Sequence, residues 1–414
     1  PYAFSPEYFA MQPRLHEHLR EMRKACFADR DCMCVGEATF ATAENAASLV
    51  GDGQELDMIF QFDLMDVDGG ESKWDLQAFD LIKFKEIVAR WQKTLDWNTL
   101  FWGNHDQPRA VSRFGCTENE ELRVRSSKCL AAAMYLLRGT PFIYQGEELG
   151  MTNFPFEREE QLRDVESLNL LHQSTDKAWA WHGIQTKGRD NARTPMQWSA
   201  GENAGFSSAE PWIAVNPNYP EINAEAESRD ENSVLHFYRG LIRLRNSAPA
   251  LRGGSFTMLY PEHKQLFAYK RSGEGETYTV VCNLSRAKCA APELCGEIVL
   301  QNCEFTDTLP PYGAAVTNVT PNHLNWHKDM DEYIRAKENI FLHPGCGRLV
   351  LNYGCDATRE MAPLVDMPVS WFSAKTMPEQ RRQDDVLYYL ENGFIMRRAG
   401  ETVKEVLDIS KIKV

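Results

Sequence analysis

Carboxylates and an imidazole occur in three short polar segments, each directly after an apolar run that predicts a buried strand. The segments cover residues 35–37, 103–109 and 144–148, and they contain Glu37, His105, Asp106, Glu147 and Glu148. One acidic residue after a strand carries little information. Three such segments in series bring carboxylates and an imidazole around a single pocket when their strands are parallel neighbours. Such groups can donate and accept protons, so the pocket is a candidate site of acid–base chemistry.

Alternating strands and helices must position these segments. The hydrophobic pattern predicts strands over 32–36, 56–62, 99–103 and 141–144, and helices over 14–27, 81–95 and 128–138. This alternation predicts an α/β fold with a parallel sheet and βα crossovers. In a β/α barrel the carboxyl ends of the strands converge on one face, where catalysis takes place. The predicted fold class therefore places the three segments together.

The pattern changes twice further along the chain. An irregular stretch over about 150–230 is closed by a predicted helix at 233–247, and short strands are predicted at 266–270, 277–283 and 297–300. The short strands indicate a small antiparallel β domain. After about residue 317 helix, strand and loop are mixed. The chain therefore divides into residues 1–252, 253–316 and 317–414.

Six stretches of the first part resemble glycoside hydrolase family 13, in its oligo-1,6-glucosidase and dextran glucosidase branch. They are VGEATF, ELDMIFQFDLMDVD, WNTLFWGNHDQPRAVSRFG, GTPFIYQGEELGMTN, RDVESLN and RDNARTPMQW. The resemblance covers about residues 5–315 and implies an α-glucosidase of carbohydrate metabolism that hydrolyses short α-1,6- or α-1,4-linked glucosides. It implies that residues 1–252 are the second half of a (β/α)8 TIM barrel, strands five to eight. Residues 253–316 would be the C-terminal β-sandwich.

By this resemblance Glu37 is the general acid/base and Asp106 the carboxylate that stabilises the transition state. His105 would bind hydroxyls of the sugar in the reactive subsite, and Arg189 and Arg193 would lie near the substrate pocket. Retaining hydrolysis uses one carboxylic acid to protonate the leaving oxygen and one carboxylate nucleophile, about 5–5.5 Å apart. The resemblance implies an oligosaccharide substrate and no cofactor for this part of the chain.

Each of these residues also has a structural interpretation. Glu37 alone is a surface residue at a strand end, and His105 and Asp106 could cap a turn. The two arginines could be structural ion-pair partners. The two glutamates at 147–148 are expected to close the barrel after its last strand rather than to react.

The family's nucleophile is an aspartate after the fourth strand, in a Gly-Phe-Arg-x-Asp type motif, and no such motif precedes Glu37. Asp29 and Asp31 lie on the loop that enters the fifth strand, which is the wrong end of it. We therefore expect a truncated chain that lacks the activity by itself. A separate N-terminal half is the partner that this interpretation implies.

Residues 314–414 resemble the central domain of a Mur ligase, most closely the cytoplasmic ligase that adds D-glutamate to UDP-N-acetylmuramoylalanine. The stretches that carry this resemblance are NVTPNHL, YIRAK and LVLN. The resemblance implies Mg²⁺ and ATP as cofactors, with His323 as metal ligand and Lys337 as a carbamylated lysine. Asn325 and Trp326 replace the usual Asp-Arg pair, and no Gly-rich phosphate loop precedes them. We therefore expect neither cofactor to bind. A tail helix is predicted over 329–341.

Composition and hydropathy disfavour nucleic acids and membranes as partners. The net charge of −14 disfavours binding to the phosphate backbone of nucleic acids and is compatible with a neutral substrate. No apolar run approaches the roughly 18 residues that span a membrane. The 11 cysteines lack paired spacing, which predicts free thiols in a reducing cytoplasm.

Three functions follow from these observations. The favoured one is a truncated retaining α-glucosidase. The second is an ATP-dependent ligase of peptidoglycan precursors, represented by the tail alone. The third is a non-enzymatic chimeric fragment, because the two resemblances meet near residues 313–318 without a linker.

Overall fold

The computed structural model describes residues 8, 10–51, 55–292, 294–304, 306–319, 347–354, 356–373 and 382–411. The helices up to residue 254 are α1 Leu15–Met22 (continued by a π-helix, Arg23–Phe27), α2 Ala43–Val50, α3 Leu81–Thr94, α4 Ala110–Phe114, α5 Glu120–Tyr135, α6 Val165–Gln173, α7 Lys177–Lys187, α8 Asp190–Arg193, α9 Ala224–Arg229, α10 Val234–Ser247 and α11 Pro249–Gly253. Short 3-10 turns lie at Glu147–Leu149, Glu159–Gln161 and Glu202–Gly205. Within the described ranges, no helix combines the length and apolarity that crossing a membrane requires.

The strands of this part are short and parallel. They are β1 Val35–Glu37, β2 Met58–Phe60, β3 Thr99–Leu100 and β4 Thr140–Pro141. β1 pairs with β2, and β3 pairs with β4. The Thr99 hydroxyl joins the two pairs by donating to the Ile59 carbonyl at 2.8 Å. The predicted alternation of parallel strands and helices is confirmed, although each hydrogen-bonded ladder is shorter than the apolar run that predicted it.

Helix α3 shows how the sequence fixes a strand that leads to the site. The Asp80 carboxylate caps the helix by accepting hydrogen bonds from two backbone N–H groups of the first turn, at 2.9 and 3.2 Å. Its predicted apolar face is buried in the main core. On that face Phe84 stacks on Trp102, with ring centroids 5.3 Å apart and an angle of 7° between the rings. Because Trp102 lies between β3 and segment 103–109, this stack fixes the start of that segment.

The helix predicted at 128–138 begins earlier than expected. It is α5, Glu120–Tyr135, and the Asn119 side chain caps it by accepting from the Leu122 backbone N–H at 2.9 Å. The apolar pattern missed the first two turns because they are polar and include Arg123. That guanidinium is buried and donates to the carbonyls of Leu149 and Gly150, each at 2.9 Å. Tertiary partners, rather than an apolar period, hold this end of the helix.

The predicted antiparallel domain is confirmed. Its strands are β5 Ser255–Leu259, β6 Leu266–Gly273, β7 Glu276–Asn283, β8 Cys289–Ala290, β9 Glu297–Gln301, β10 Thr308–Leu309 and β11 Ala314–Val319. Five of them form an antiparallel sheet in the order β5-β6-β7-β11-β9, and β8 pairs with β10. One hydrophobic core runs through this sheet and the helices before it.

Two buried polar contacts attach the sheet to the preceding helices. The Tyr269 hydroxyl donates to carbonyls of α5, at 3.2 Å for Ala132 and 3.1 Å for Ala133. The Lys85 ammonium of α3 donates to the carbonyls of Tyr260 at 2.8 Å and His263 at 2.6 Å. Burial lowers the pKa of Lys85. The α/β part and the antiparallel domain therefore form one body.

The tail has a mixed sheet and a core of its own. Its elements are β12 Leu349–Asn352, α12 Asp356–Met361, β13 Val369–Ser373, β14 Val386–Glu391, β15 Phe394–Ala399 and β16 Thr402–Asp408, with 3-10 turns at Ala362–Leu364 and Ile409–Lys411. β12, β13 and β14 are parallel neighbours, and β15 and β16 continue the sheet antiparallel. The core surrounds Trp371. The predicted helix at 329–341, His323 and Lys337 lie outside the described residues.

Candidate active site

Backbone N–H groups of the segment after β3 donate to asparagine side chains. The Asp106 N–H donates to the Asn104 side-chain carbonyl at 2.7 Å. Three residues later, the Arg109 N–H donates to the Asn153 side-chain carbonyl at 2.9 Å. These contacts hold the turn in place and leave the carboxylate of Asp106 half-buried at the carboxyl end of the strand.

Two arginines from the irregular stretch after β4, residues 150–230, contact Asp106. Arg193 forms an ion pair with the carboxylate through Nη2, and its Nε donates to the His105 carbonyl at 2.9 Å. Arg189 Nη1 lies 3.4 Å from Asp106 Oδ1. The imidazole Nε2 of His105 lies 3.8 Å from the same oxygen, and more than half of this side chain is exposed. The structure therefore brings four of the five predicted glucosidase residues together.

The ion pairs extend beyond Asp106. Arg189 Nε lies 3.2 Å from Asp164 Oδ1, and Arg189 Nη2 lies 2.8 Å from Glu166 Oε2. Glu166 also pairs with the ammonium of Lys73. In this network Lys73, Arg189 and Arg193 contribute three positive charges, and Asp106, Asp164 and Glu166 contribute three negative ones. The network is therefore neutral as a whole, and its carboxylate and guanidinium groups offer hydrogen bonds to an uncharged polar ligand.

Glu37 ends β1 and lies opposite Phe60 of β2 in the parallel register. Its side chain is exposed, and none of the described residues is bonded to it. The Phe60 ring contacts Phe101 and Phe142 with centroids 5.0 and 4.7 Å apart, which packs the ends of β2, β3 and β4 together. Glu37 thus ends β1, and Asp106 lies beyond the end of β3, each at the carboxyl end of a parallel strand. The separation of their carboxyl groups stays a prediction.

Arg109 is a residue of the site region whose part sequence analysis missed. It is 3% exposed, and its guanidinium donates to the carbonyl of Asn191 at 3.0 Å, the carbonyl of Gln145 at 2.6 Å and the hydroxyl of Thr194 at 3.0 Å. Burial lowers its pKa to about 10. Arg109 therefore joins the segments after β3 and β4 to α8, which carries Arg193. In the sequence, only the position of Arg109 in the NHDQPR stretch indicated that it belongs to the site region.

A second buried cluster supports Gln107, the neighbour of Asp106. Arg113 donates from Nη1 to Gln107 Oε1 at 2.7 Å and from Nε to Asp68 Oδ2 at 2.9 Å. Lys187 Nζ donates to Asp68 Oδ1 at 2.5 Å. Burial, together with the neighbouring Arg113, lowers the pKa of Lys187 to about 8. The spacing of these residues gave no sign of this cluster, since its members come from three distant segments.

Glu147 lies behind the site rather than in it. Its Oε1 accepts hydrogen bonds from the hydroxyls of Tyr135 at 2.5 Å and Tyr238 at 3.0 Å. Burial raises its pKa to about 7. The carboxyl group ties α5 to α10 after the last parallel strand, an arrangement that favours the structural interpretation of this residue.

Glu147 makes the stability of the protein depend on pH. Its pKa rises from an ordinary 4.5 to about 7 on folding, so the native state binds more protons than the unfolded state between those values. Stability should therefore fall as pH rises through that window, by on the order of 1–3 kcal/mol. Glu147→Gln keeps an oxygen that accepts from both tyrosines and removes the titration. The midpoint of thermal unfolding should be lower at about pH 7.5 than at about pH 5, and this fall should be larger in the unmodified protein than in the variant. Equal falls would show that Glu147 does not titrate in this range.

Two family models match this chain, and curated relatives are similar to about three quarters of its length. The family model for the catalytic domain of alpha amylase matches residues 5–254, and the one for the Mur ligase middle domain matches residues 281–403. The oligo-1,6-glucosidase of Halalkalibacterium halodurans is 41% identical over 338 residues, which are 76% of this chain and 60% of the relative. The trehalose-6-phosphate hydrolase of Bacillus subtilis is 42% identical over 337 residues, again 76% of this chain and 60% of the relative.

A solved structure shows the same likeness. The crystal structure of Bacillus licheniformis trehalose-6-phosphate hydrolase superimposes with a TM-score of 0.70 at 36% identity, covering 76% of this chain and 61% of that one. The chain thus spans about 60% of the length of the curated relatives it matches.

Proposed function

Because the chain belongs to the alpha-amylase family of glycoside hydrolases, family 13, we propose that it carries the acid/base side of a retaining α-glucosidase site. Glu37 is the general acid/base, Asp106 stabilises the developing positive charge on the sugar, and His105 binds its hydroxyls. Arg189 and Arg193 orient Asp106. The observation that carries the proposal is the convergence of both arginines and the imidazole on Asp106, at the carboxyl end of a parallel strand.

In the proposed reaction, the two carboxyl groups have different roles. Glu37 protonates the leaving glycosidic oxygen, and the exposed position of its side chain gives that oxygen access. Asp106 opposes the charge of the oxocarbenium-like transition state while its two arginines hold its orientation. The attacking carboxylate comes from a segment other than the one present here, since no family nucleophile motif precedes Glu37. We therefore propose that this chain is inactive by itself.

The charge balance favours an uncharged substrate. Each cation of the network around Asp106 already contacts a carboxylate, so none of these described cations is left over for a phosphate group. Curated relatives include oligo-1,6-glucosidases and trehalose-6-phosphate hydrolases. Of these two substrate types, the neutral gluco-oligosaccharide fits the network. The linkage, α-1,6 or α-1,4, depends on residues next to the nucleophile.

Residues 317–414 do not enter this proposal. The match to the Mur ligase middle domain supports a mixed α/β architecture, which β12–β16 have. The residues that would hold Mg²⁺ in that family, His323 and Lys337, lie outside the described part of the chain. Four of the five glucosidase residues, by contrast, lie around the Asp106 carboxylate.

Binding of a cationic sugar analogue tests the proposed site without needing turnover. A protonated, glucose-configured iminosugar resembles the charged transition state, which retaining sites bind tightly. Asp106→Asn should weaken its binding to the full chain by about 10- to 100-fold, since charge-assisted hydrogen bonds contribute roughly 1.5–3 kcal/mol. His105→Ala should weaken it as well. Calorimetric titration measures both effects.

Asp63→Asn is the matched control. Asp63 accepts from the Trp91 indole N–H at 2.8 Å and contacts Arg90, so the same chemical change is made outside the site. The affinity of the Asp63→Asn variant for the iminosugar should equal that of the unmodified chain. If both Asn variants bind equally well, Asp106 has no part in sugar binding and the proposal is wrong.

A further inference from the structure

A groove of about 510 Å³ lies in the irregular stretch after β4, residues 150–230. Its lining includes Arg158, Glu160, Asn203, Glu210, Trp212 and Tyr219. The volume is within the roughly 300–1,000 Å³ of small-molecule sites. We call it the Trp212 groove. Its most unusual member is Trp212 itself, whose side chain is 67% exposed. Such an exposed indole offers a large apolar face that the fold does not use for packing.

The frame of the groove is fixed by polar contacts. The Asn203 side chain donates to the carbonyls of Ser207 at 3.0 Å and Ala209 at 3.1 Å. Asn203 and Ala204 both have left-handed backbone conformations, with φ of 48° and 57°. Non-glycine residues adopt this region at a cost, which surrounding contacts must offset, and such strain clusters at ligand sites. The part of the lining that contains Asn203 is therefore held in one shape.

One chain segment joins the groove to the candidate site. Arg163 donates from Nε to the Trp212 carbonyl at 3.1 Å, which fixes the backbone of the indole-bearing loop. The next residue, Asp164, contacts Arg189, and Arg189 contacts Asp106. The groove thus adjoins the network around Asp106 through two consecutive residues. A ligand longer than one sugar could extend from the site toward it.

The groups beside the indole indicate the class of ligand. The carboxylates of Glu160 and Glu210 are exposed, and neither has a bonding partner among the described residues, so they can accept hydrogen bonds from hydroxyl groups. Arg158 and Arg163 also line the groove, so its two carboxylates are matched by two guanidinium groups, and this balance suits an uncharged ligand. A flat indole face between hydroxyl-binding groups suits a pyranose ring, which has an apolar C–H face and a polar rim.

We propose that the Trp212 groove binds a neutral oligosaccharide, with one sugar ring stacked on Trp212. The chemical class of the ligand rests on the proposed glucosidase function. The groove itself is a separate site that holds the distant part of a longer gluco-oligosaccharide. Its contribution grows with chain length, because a monosaccharide that occupies the reactive subsite does not reach it.

Calorimetric titration of the full chain with isomaltopentaose tests this proposal. Trp212→Ala should weaken binding at least about tenfold, the factor that corresponds to 1.4 kcal/mol. Trp212→Tyr, which keeps an aromatic face, should retain most of the affinity. Trp179→Ala is the matched control, since Trp179 is also exposed, at 44%, but does not line the groove. It should leave the affinity unchanged. Because Trp212 is on the surface, its replacement should not impair folding.

The outcomes separate this inference from the proposed function. If the unmodified chain and Trp212→Ala bind isomaltopentaose equally well, or if neither binds it, the proposal that the Trp212 groove binds oligosaccharide is wrong. If Asp106→Asn abolishes binding of isomaltopentaose while Trp212→Ala does not, the reactive subsite alone binds sugar, and only the groove is refuted. If the oligosaccharide depends on Trp212 while the iminosugar does not bind, the groove stands and the proposed function fails.

Discussion

The purified 414-residue chain is expected to release no p-nitrophenol from p-nitrophenyl α-glucoside above the rate in buffer. Retaining hydrolysis requires a carboxylate that attacks the anomeric carbon, and no family nucleophile motif precedes Glu37. An acid and a charge-stabilising carboxylate cannot replace that group in the double displacement. Glu37 and Asp106 should therefore bind sugar without turning it over. Colorimetric release of the phenol over hours measures the effect.

Activity should appear when the nucleophile is supplied. We expect turnover after a family segment that carries the first four strands and the nucleophile aspartate is joined ahead of residue 5. In this completed protein, Glu37→Gln should lower kcat by roughly 10²- to 10⁴-fold, the usual contribution of a general acid. Glu44→Gln, an exposed carboxylate in the first turn of α2, is the control and should leave kcat unchanged. Turnover by the unmodified chain that vanishes in Glu37→Gln would reveal a substitute nucleophile.

Trp102→Ala is expected to destabilise the body formed by the α/β part and the antiparallel domain by about 3–5 kcal/mol. Trp102 is 1% exposed, stacks on Phe84, and contacts Phe114 with ring centroids 5.0 Å apart. Its indole N–H donates to the Leu130 carbonyl at 2.7 Å. The substitution removes the hydrogen bond and both ring contacts, and it leaves a cavity under segment 103–109.

Thermal unfolding measures this loss. The midpoint should fall by roughly 6–15 °C, given the few degrees per kcal/mol typical of bodies of this size. Trp102→Phe, which refills part of the cavity, should lose less. Trp212→Ala removes an indole that is 67% exposed and should shift the midpoint little. A midpoint for Trp102→Ala equal to that of Trp212→Ala would contradict the packing role assigned to Trp102.

The sequence predicted those elements whose local pattern and tertiary environment agree. Helix α3 was predicted at 81–95 and spans Leu81–Thr94, because its apolar period faces the core and Asp80 caps it. Helix α5 was predicted too short, since buried Arg123 interrupts the apolar pattern and is held by carbonyl groups of a distant turn. A periodicity argument cannot anticipate a cation that is buried by such contacts.

In the candidate site, too, some residues were predicted from the sequence and others were not. His105, Asp106, Arg189 and Arg193 were predicted from stretches that resemble the family, and the structure brings them together. The supporting contacts escaped prediction because they join residues far apart in the chain. Arg109 reaches across to Asn191, and Lys187 reaches Asp68, over separations that no local pattern encodes.

The position of the iminosugar ring in crystals of the full chain tests the central claim most directly. We predict that one ring contacts the carboxyl groups of both Glu37 and Asp106, with the His105 imidazole within hydrogen-bonding distance of a ring hydroxyl, about 2.7–3.2 Å. Glu37 ends β1 and Asp106 lies beyond the end of β3, each at the carboxyl end of a parallel strand, so we expect a single ring to reach both. A ring bound elsewhere, or carboxyl groups of Glu37 and Asp106 too far apart to contact the same ring, would contradict the assignment of this face as a glucosidase site.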